Sequence, residues 1–266
     1  MKNKSITTII NYCTIDYAFI HKCIEKAMNI SDEVIVVYGD NFYDGTPEQK
    51  ELIEKTILTN AHTGARFISL HVDPSYKVAQ HFWPNAMRLF GWKAQRKKSE
   101  WILFLDADEL IDDIEFLSWF EKTDPSIDAY LLAQYWYFRE PIYRATAYED
   151  NTLLMRNSLI NAKFIMEGFT LPDGKNIKER HGLWLNAPTK EHMQKNINGT
   201  PMVHHYSWVR THEQMLKKVK AWSHRADRDW VSLVNEEFSR PFNGTDFVHG
   251  YSFETVDNKF NIKLSK

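Results

Sequence analysis

The sequence predicts an α/β protein with a mostly parallel, Rossmann-like sheet flanked by helices, and two observations carry that prediction. The first 110 residues alternate strand-like and helix-like segments, which is the pattern of βαβ units. The fourth predicted strand, residues 101–105, ends abruptly in Asp106-Ala107-Asp108-Glu109. A run of acids cannot continue into a core, so this strand ends at a surface. In an open parallel sheet, the carboxyl edge of the strands is where ligands bind.

The early elements follow from hydrophobic spacing and from helix start signals. A strand is predicted over residues 5–11, and the apolar spacing behind it predicts a helix. Residues 33–38 form a second strand, apolar enough to be central. The next helix is predicted by three start signals. They are Thr46 as the N-cap, Pro47 at the first helical position and Gln49 as the capping-box partner. A strand over 66–70 and a helix over 80–98 follow.

Beyond residue 110 the alternation loosens. A buried stripe that runs from Met215 to Trp230 predicts one long helix over residues 211–230, a C-terminal helical extension. The tail after Ser239 is aromatic and rich in Asn and Gly, and we expect it to pack as an irregular strap. The other predictions are a helix over 112–122, strands over 129–138, 151–156 and 201–208, and mixed loops and short strands over 161–198.

Composition favours one folded unit. The chain has 266 residues, of which 43% are hydrophobic and 26% charged, close to ordinary soluble folded proteins and far from disordered chains. This length allows one large domain or one with an appendage, at roughly 100–200 residues per domain. Lysine and arginine number 33 against 35 acids, so the formal charge of −2 provides no global field that attracts nucleic acid.

The sequence also predicts a cytoplasmic protein without a membrane span. The apolar stretch near the amino terminus is short and broken by Thr7 and Thr8, unlike a signal peptide. No apolar run approaches the ~20 residues that a membrane span needs. Cys13 and Cys23 are the only cysteines, which excludes a disulfide framework and fits a reducing compartment.

Asp106 and Asp108 are candidate metal ligands. They stand at i and i+2 just past a buried strand, so a turn can point both carboxylates toward one cation. Carboxylate oxygens suit Mg²⁺ and Mn²⁺, and a site with open positions accepts phosphate oxygens from a nucleotide. The alternative is a solvated acidic turn, but a position after the fourth strand of an α/β series favours the metal site.

Two segments carry a family resemblance. One is Glu33-Val-Ile-Val-Val-Tyr-Gly-Asp40 with Asp44-Gly45-Thr46, and the other is Trp101-Ile-Leu-Phe-Leu-Asp-Ala-Asp-Glu109. Together they resemble the family 2 glycosyltransferases, in particular the lipopolysaccharide-core-type members, over residues 5–120 and more loosely over 150–225. The resemblance implies a GT-A fold, Mn²⁺ or Mg²⁺, and a nucleotide diphosphate sugar donor. It places the nucleotide-sugar site at Asn11, Asp40, Asp44, Asp106 and Ala107, with Asp40 on the base.

His204 and His205 lie in a predicted strand, where neighbouring side chains point to opposite faces. At most one of them therefore reaches the metal, and the alternative for either is a structural histidine. The resemblance implies that a histidine late in the domain completes the metal shell, and we expect His205.

A general base must deprotonate the acceptor hydroxyl, and a carboxylate within hydrogen-bond reach can serve. Glu191 lies where the resemblance places an acid shortly before the late histidine strand. Asp150 and Glu149 precede a short strand and resemble the Glu-Asp pair that carries the base in some relatives. We favour Glu191, and for each acid the alternative is a loop residue that faces water.

The resemblance implies transfer of a sugar to a glycan or another hydroxyl-bearing acceptor, with inversion at the anomeric carbon. Residues 1–235 would form the GT-A domain, with a nucleotide-sugar-binding half over 1–110, an acceptor half over 111–235 and a strap over 236–266. One or two cations of the last helix could neutralise the diphosphate, although for any single lysine a solvated face is the alternative. The candidates are Arg210, Lys217, Lys218, Lys220, Arg225 and Arg228. The aromatic residues 135–138 could stack on a sugar.

Three other functions remain open at this point. A nucleotidyltransferase would need a Gly-rich loop after the first strand, but residues 11–16 contain no glycine. A glycosyltransferase acting on modified nucleic-acid bases would use the basic helix. A non-catalytic sugar-binding module would bind glycan without metal.

Overall fold

The computed structural model describes residues 5–73, 75, 82–167, 169–170, 176–177, 193–194, 199–221, 225 and 227–264. Its strands are β1 (Ile6–Tyr12), β2 (Glu33–Gly39), β3 (Arg66–Leu70), β4 (Trp101–Asp106), β5 (Glu109–Ile111), β6 (Ala129–Phe138), β7 (Tyr143–Arg156), β8 (Phe169–Thr170), β9 (Asn176–Ile177), β10 (Met193–Gln194), β11 (Val203–Trp208) and β12 (Phe253–Thr255). Its α-helices are α1 (Tyr17–Ile30), α2 (Lys50–Asn60), α3 (Phe82–Lys93), α4 (Asp113–Phe120), α5 (Ala162–Glu167), α6 (His212–Ala221) and α7 (Trp230–Phe238). No helix within these ranges is long and apolar enough to cross a membrane.

One large sheet organises these elements in the order β3-β2-β1-β4-β7-β6-β11-β5. The strands β3, β2, β1 and β4 run parallel, β7 is antiparallel to both of its neighbours, and β11 is parallel to β6. The predicted α/β class with a mostly parallel, helix-flanked sheet is confirmed. Asn11 at the end of β1 lies opposite Asp106 at the end of β4, so two parallel strands deliver polar residues to one edge.

Helices cover both faces of the sheet, as its apolar central strands require. Every residue of β1 is buried, and its alternating side chains enter two different core clusters. Ile10 packs in the cluster that contains α1, whereas Ile9 packs in the one that contains Met87 of α3. A Cβ on Gly91 of α3 would lie 2.4 Å from Cγ2 of Ile9. The helix approaches the strand this closely because residue 91 has no side chain.

The start of α2 corrects a prediction. This helix begins at Lys50 with Gln49 as its N-cap, so Thr46 is not the cap and Pro47 is not its first residue. The Asp44 carboxylate instead accepts hydrogen bonds from the Thr46 amide at 2.9 Å and from its hydroxyl at 2.6 Å. Thr46 and Pro47, which the capping-box pattern assigned to the start of the helix, therefore lie before it, and Thr46 belongs to a local turn with Asp44.

The helix predicted over 211–230 is also wrong, because the structure has α6 and α7 instead. Asp229 caps α7 by accepting a hydrogen bond from the Ser232 amide at 3.1 Å, so Trp230 begins a helix rather than ending one. The short strand predicted over 151–156 is the second half of the longer β7, which begins at Tyr143.

The carboxyl-terminal segment packs against the sheet, and β12 pairs antiparallel with the start of β7. Residues 239–264 are called the strap from here on. The boundary predicted between residues 235 and 236 falls inside α7, and the division into two halves stays a prediction.

Candidate active site

A cleft of about 940 Å³ opens at the carboxyl edge of β1 and β4. Side chains from β6, β7, β11, α6 and the strap complete its walls, so segments from the whole length of the chain meet there. The lining residues that matter most for the chemistry are Asn11, Asp106, Asp108, Glu149, His205 and His249.

Asp106 is held by a buried arginine. Oδ1 of Asp106 lies 2.7 Å from Nη2 of Arg88, and the Asp106 amide donates a hydrogen bond to Glu109 at 2.9 Å. Arg88 is buried, and its Nε and Nη1 have no hydrogen-bond partner among the described residues. One end of this guanidinium therefore orients Asp106, while its Nε and Nη1 lie buried.

Asp108 is the centre of a buried ion-pair network. Its Oδ2 lies 3.1 Å from Nη2 of Arg210 and 3.5 Å from Nζ of Lys218, and its Oδ1 lies 3.5 Å from Nε2 of His205. Arg210 also pairs with Asp16, which follows β1. Burial alone would raise the pKa of Asp108, but Lys218, His205 and Arg210 outweigh burial and hold this pKa well below its usual range.

The two histidines of β11 point in opposite directions, as their alternation in a strand requires. His205 reaches Asp108, and its Nδ1 accepts a hydrogen bond from Nε2 of Gln134 at 2.9 Å. His204 bonds the Tyr137 hydroxyl at 2.8 Å, and burial lowers the pKa of His204 to about 3. His204 is therefore a neutral core residue, and His205 is the histidine at the cleft.

Asp108 and His205 are the predicted metal ligands that the fold brings into contact, whereas Asp106 is turned toward Arg88. Among the described residues, no group of three or more His, Cys, Asp and Glu side chains is arranged to hold a metal. A divalent cation held by Asp108 and His205 would therefore have few protein ligands, which is how Mg²⁺ is often bound beside substrate phosphates.

The other predicted nucleotide-sugar residues have different surroundings. Asn11 lines the cleft and donates a hydrogen bond to the Pro84 carbonyl at 3.1 Å. Asp40 is exposed and lies 2.6 Å from Nδ1 of His71, and Asp44 caps its own turn. Ala107 is buried, and its amide donates to the Asn11 carbonyl at 2.9 Å. The roles given to these residues remain predictions.

The structure describes two of the three predicted bases, Glu149 and Asp150. Glu149 of β7 lines the cleft, with its Oε2 2.9 Å from Nδ2 of Asn151. Asp150 follows it in β7, opposite Ala133 in the register with β6. Glu191 lies outside the described residues.

Sequence reasoning missed several residues of the cleft, among them Asp16, Glu48 and His249. Asp16 follows β1 at the same sheet edge as Asp106, which was a usable signal. Glu48 accepts hydrogen bonds from the Thr14 amide, at 3.2 Å, and from its hydroxyl. Burial raises the pKa of Glu48 to about 7 even though those hydrogen bonds lower it. His249 had no signal, because its place depends on how the strap folds back.

No family model and no curated protein matches this chain. Among solved structures, glucosyl-3-phosphoglycerate synthase from Mycobacterium tuberculosis in complex with UDP has 13% sequence identity and a TM-score of 0.43, over 96% of this chain and 89% of the other. The mannosyltransferase from Pyrobaculum calidifontis in complex with GDP-Man and Mn²⁺ has 12% identity and a TM-score of 0.37, over 61% and 49%. A glucose-1-phosphate thymidylyltransferase from Bacillus anthracis has 11% identity and a TM-score of 0.37, over 61% and 75%.

The comparisons therefore include both glycosyltransferases and a nucleotidyltransferase. Several of the matches span only about half to three fifths of the other protein, with 54%, 58% and 49% of its length covered. The activity depends on the chemistry of the cleft.

Proposed function

We propose that the chain is a glycosyltransferase that moves a sugar from a nucleotide diphosphate sugar to an acceptor hydroxyl, with inversion at the anomeric carbon. The observation that carries the proposal is the set of acids and cations around Asp108 at the carboxyl edge of β4. An arrangement of this kind suits a diphosphate, because fixed cations stabilise the charge that develops on a leaving phosphate. The family resemblance of residues 101–109 supports the same assignment.

On the donor side, Lys218 and Arg210 are the cations nearest to Asp108. Lys218 lines the cleft, and its Nζ also donates a hydrogen bond to the Ser207 hydroxyl at 2.8 Å. Arg210 is fully buried and pairs with two carboxylates, so it fixes Asp108 in place. Lys218 is the better candidate for direct contact with a diphosphate.

We propose Mn²⁺ or Mg²⁺ as the cofactor, held by Asp108 and His205 with Asp106 beside them. Carboxylate oxygens suit both ions, and an open site leaves positions for phosphate oxygens. When bound, the ion would neutralise charge on the diphosphate. The protein residues orient one another: Gln134 holds His205, and Arg88 holds Asp106.

On the acceptor side the cleft is aromatic. Trp136, Trp208 and Trp230 line it together with Arg228 and the strap residue Val248. Aromatic faces stack on the apolar face of sugar rings, so a glycan is the acceptor class that this wall favours. Glu149, Asp150 and Glu191 are the acids proposed to serve the acceptor.

A thermal-shift screen tests the proposed function. Nucleoside diphosphates and their sugars are added with and without Mn²⁺, and a ligand at 100 times its dissociation constant adds roughly 2.7 kcal/mol of stability. We expect at least one nucleoside diphosphate to raise the melting temperature more with Mn²⁺ than without it. A flat response to every nucleotide overturns the proposal, and stabilisation by glycans alone, without metal or nucleotide, would indicate a sugar-binding module. A salt-sensitive shift of DNA in a gel would instead support action on nucleic-acid bases.

A further inference from the structure

The strap places a histidine against a carboxylate inside the cleft. Nδ1 of His249 lies 3.1 Å from Oε1 of Glu149, although the two residues belong to the strap and to β7. Both side chains line the same cleft as Asp108 and His205. We propose that His249 is the general base that accepts the acceptor hydroxyl proton and that Glu149 positions it. This inference rests on the proposed glycosyl transfer.

Glu149 is poorly placed to take that proton itself, because protein donors already occupy both of its oxygens. Oε1 lies 3.1 Å from Nδ1 of His249 and accepts a hydrogen bond from the Tyr251 hydroxyl at 3.4 Å. Oε2 accepts from Nδ2 of Asn151 at 2.9 Å and from Nε2 of Gln134 at 3.5 Å. A carboxylate surrounded in this way orients its neighbours, as the carboxylate does in a nucleophile–base–carboxylate triad.

The imidazole of His249 is held in one orientation by two further contacts. Asp246 accepts hydrogen bonds from the amides of Val248 and His249 at 2.7 and 2.6 Å, which shapes the turn that carries the ring. The ring packs on Trp136 with a centroid separation of 4.7 Å. Its side chain is still 32% exposed, and Nε2 has no hydrogen-bond partner among the residues that the structure describes. Nδ1 is thus engaged by Glu149, while Nε2 is left for a substrate.

The proton transfer balances with these atoms alone. With the imidazole proton on Nδ1, beside the Glu149 carboxylate, the lone pair on Nε2 accepts the hydroxyl proton as the acceptor oxygen forms its bond to the anomeric carbon. The bond from that carbon to the diphosphate oxygen breaks, and its electron pair leaves with the nucleoside diphosphate. His249 becomes an imidazolium, which the Glu149 carboxylate stabilises.

The experiment compares His249→Gln, Glu149→Gln and the matched control His212→Gln, which alters an exposed histidine bonded to Asn235 at 2.9 Å. Release of nucleoside diphosphate from UDP-glucose and GDP-mannose, by transfer or by slow hydrolysis, gives the rate. We expect His249→Gln to lower kcat by about 10²–10⁴-fold, with the dissociation constant of UDP or GDP with Mn²⁺ unchanged. The control should react as the wild type does.

Three readouts separate a base from a structural residue. Added imidazole should restore part of the rate of His249→Ala, which a misfolded variant would not show. The acidic limb of the kcat profile should disappear in His249→Gln. Glu149→Gln should lower kcat while leaving the dissociation constant of UDP or GDP with Mn²⁺ unchanged. Wild-type kcat in His249→Gln overturns the assignment, and so does a dead Glu191→Gln or Asp150→Asn beside an active His249→Gln. Failure of the wild type to bind any nucleoside diphosphate overturns the proposed function first.

Discussion

Asp108 and Arg210 are 102 positions apart in the sequence, yet their side chains form a buried ion pair of 3.1 Å. Arg210 also pairs with Asp16 and donates to the carbonyls of Tyr206 and Val209, both at 2.8 Å. One guanidinium thus ties the turn after β1, the turn after β4 and the end of β11 into one unit. The geometry at the carboxyl edge depends on this tie.

The first prediction concerns that arginine. Arg210→Met should leave Asp16 and Asp108 as buried carboxylates without their main partner, and breaking a buried pair in this way costs about 3–5 kcal/mol. Urea denaturation of Arg210→Met measures the loss. Arg240→Met removes an exposed i,i+4 pair with Glu236 and should change the free energy of unfolding by less than about 1 kcal/mol. Equal stability of the two variants would show that the network has no structural role.

The second prediction concerns Asp108 as a ligand. Asp108→Asn keeps the size of the side chain and leaves Arg210 paired with Asp16, so the fold should survive. Metal-dependent binding of a nucleoside diphosphate should be lost, because the amide removes the charge that attracts the ion. Isothermal titration with Mn²⁺ and nucleotide gives the affinity, and the control is Asp124→Asn, an acid that caps an exposed turn through the Ser126 amide at 2.8 Å. Unchanged affinity in folded Asp108→Asn would make Asp108 a structural acid only.

The third prediction separates the two histidines of β11. His205→Ala should weaken Mn²⁺ binding, because His205 lies 3.5 Å from Asp108. His204→Ala should leave Mn²⁺ affinity unchanged and instead lower stability, since His204 packs between Tyr137 and Phe260 in the core. Metal titration and thermal melting of both variants give the two effects separately. The opposite order would move the ligand role to His204.

The sequence was sufficient to predict the parallel half of the sheet and the acids at its edge. The apolar run of β4 and the acids behind it are local features, and a strand that meets acids must end at a surface. Long-range features were not accessible in this way. The contact between Arg210 and Asp16 and the place of His249 depend on how distant segments return to the sheet.

Local competition explains the errors at the helix ends. Thr46 matches the N-cap of a capping box, but its amide and hydroxyl donate hydrogen bonds to the Asp44 carboxylate, which forms a turn there instead. The apolar stripe that suggested one helix over 211–230 continues across two helices, because α6 and α7 pack in the same core cluster. The spacing of apolar residues showed which residues share a core. It did not show that a new helix begins at Trp230 with Asp229 as its N-cap.

The last prediction uses Glu48, whose pKa is raised by burial from its ordinary value of about 4.5 to about 7. The folded protein therefore holds a proton on Glu48 that the unfolded chain releases, and this group makes stability fall as pH rises from about 4.5 to 7. Glu48→Gln cannot release a proton, so that part of the pH dependence should disappear. Across this interval the free energy of unfolding of the variant should rise relative to that of the wild type by up to a few kcal/mol, since one unit of pKa corresponds to about 1.4 kcal/mol.

Urea denaturation at pH 4.5, 6 and 7.5 measures the difference between the two proteins at each pH. Glu51→Gln, on the first turn of α2 and exposed, is the matched control and should follow the wild type at every pH. The amide also keeps a hydrogen-bond acceptor for the Thr14 amide, which limits the loss from the substitution itself. A constant difference between Glu48→Gln and the wild type would mean that Glu48 ionises as readily in the folded protein as in the unfolded chain. That result would contradict the prediction that the pKa of Glu48 is raised in the folded protein.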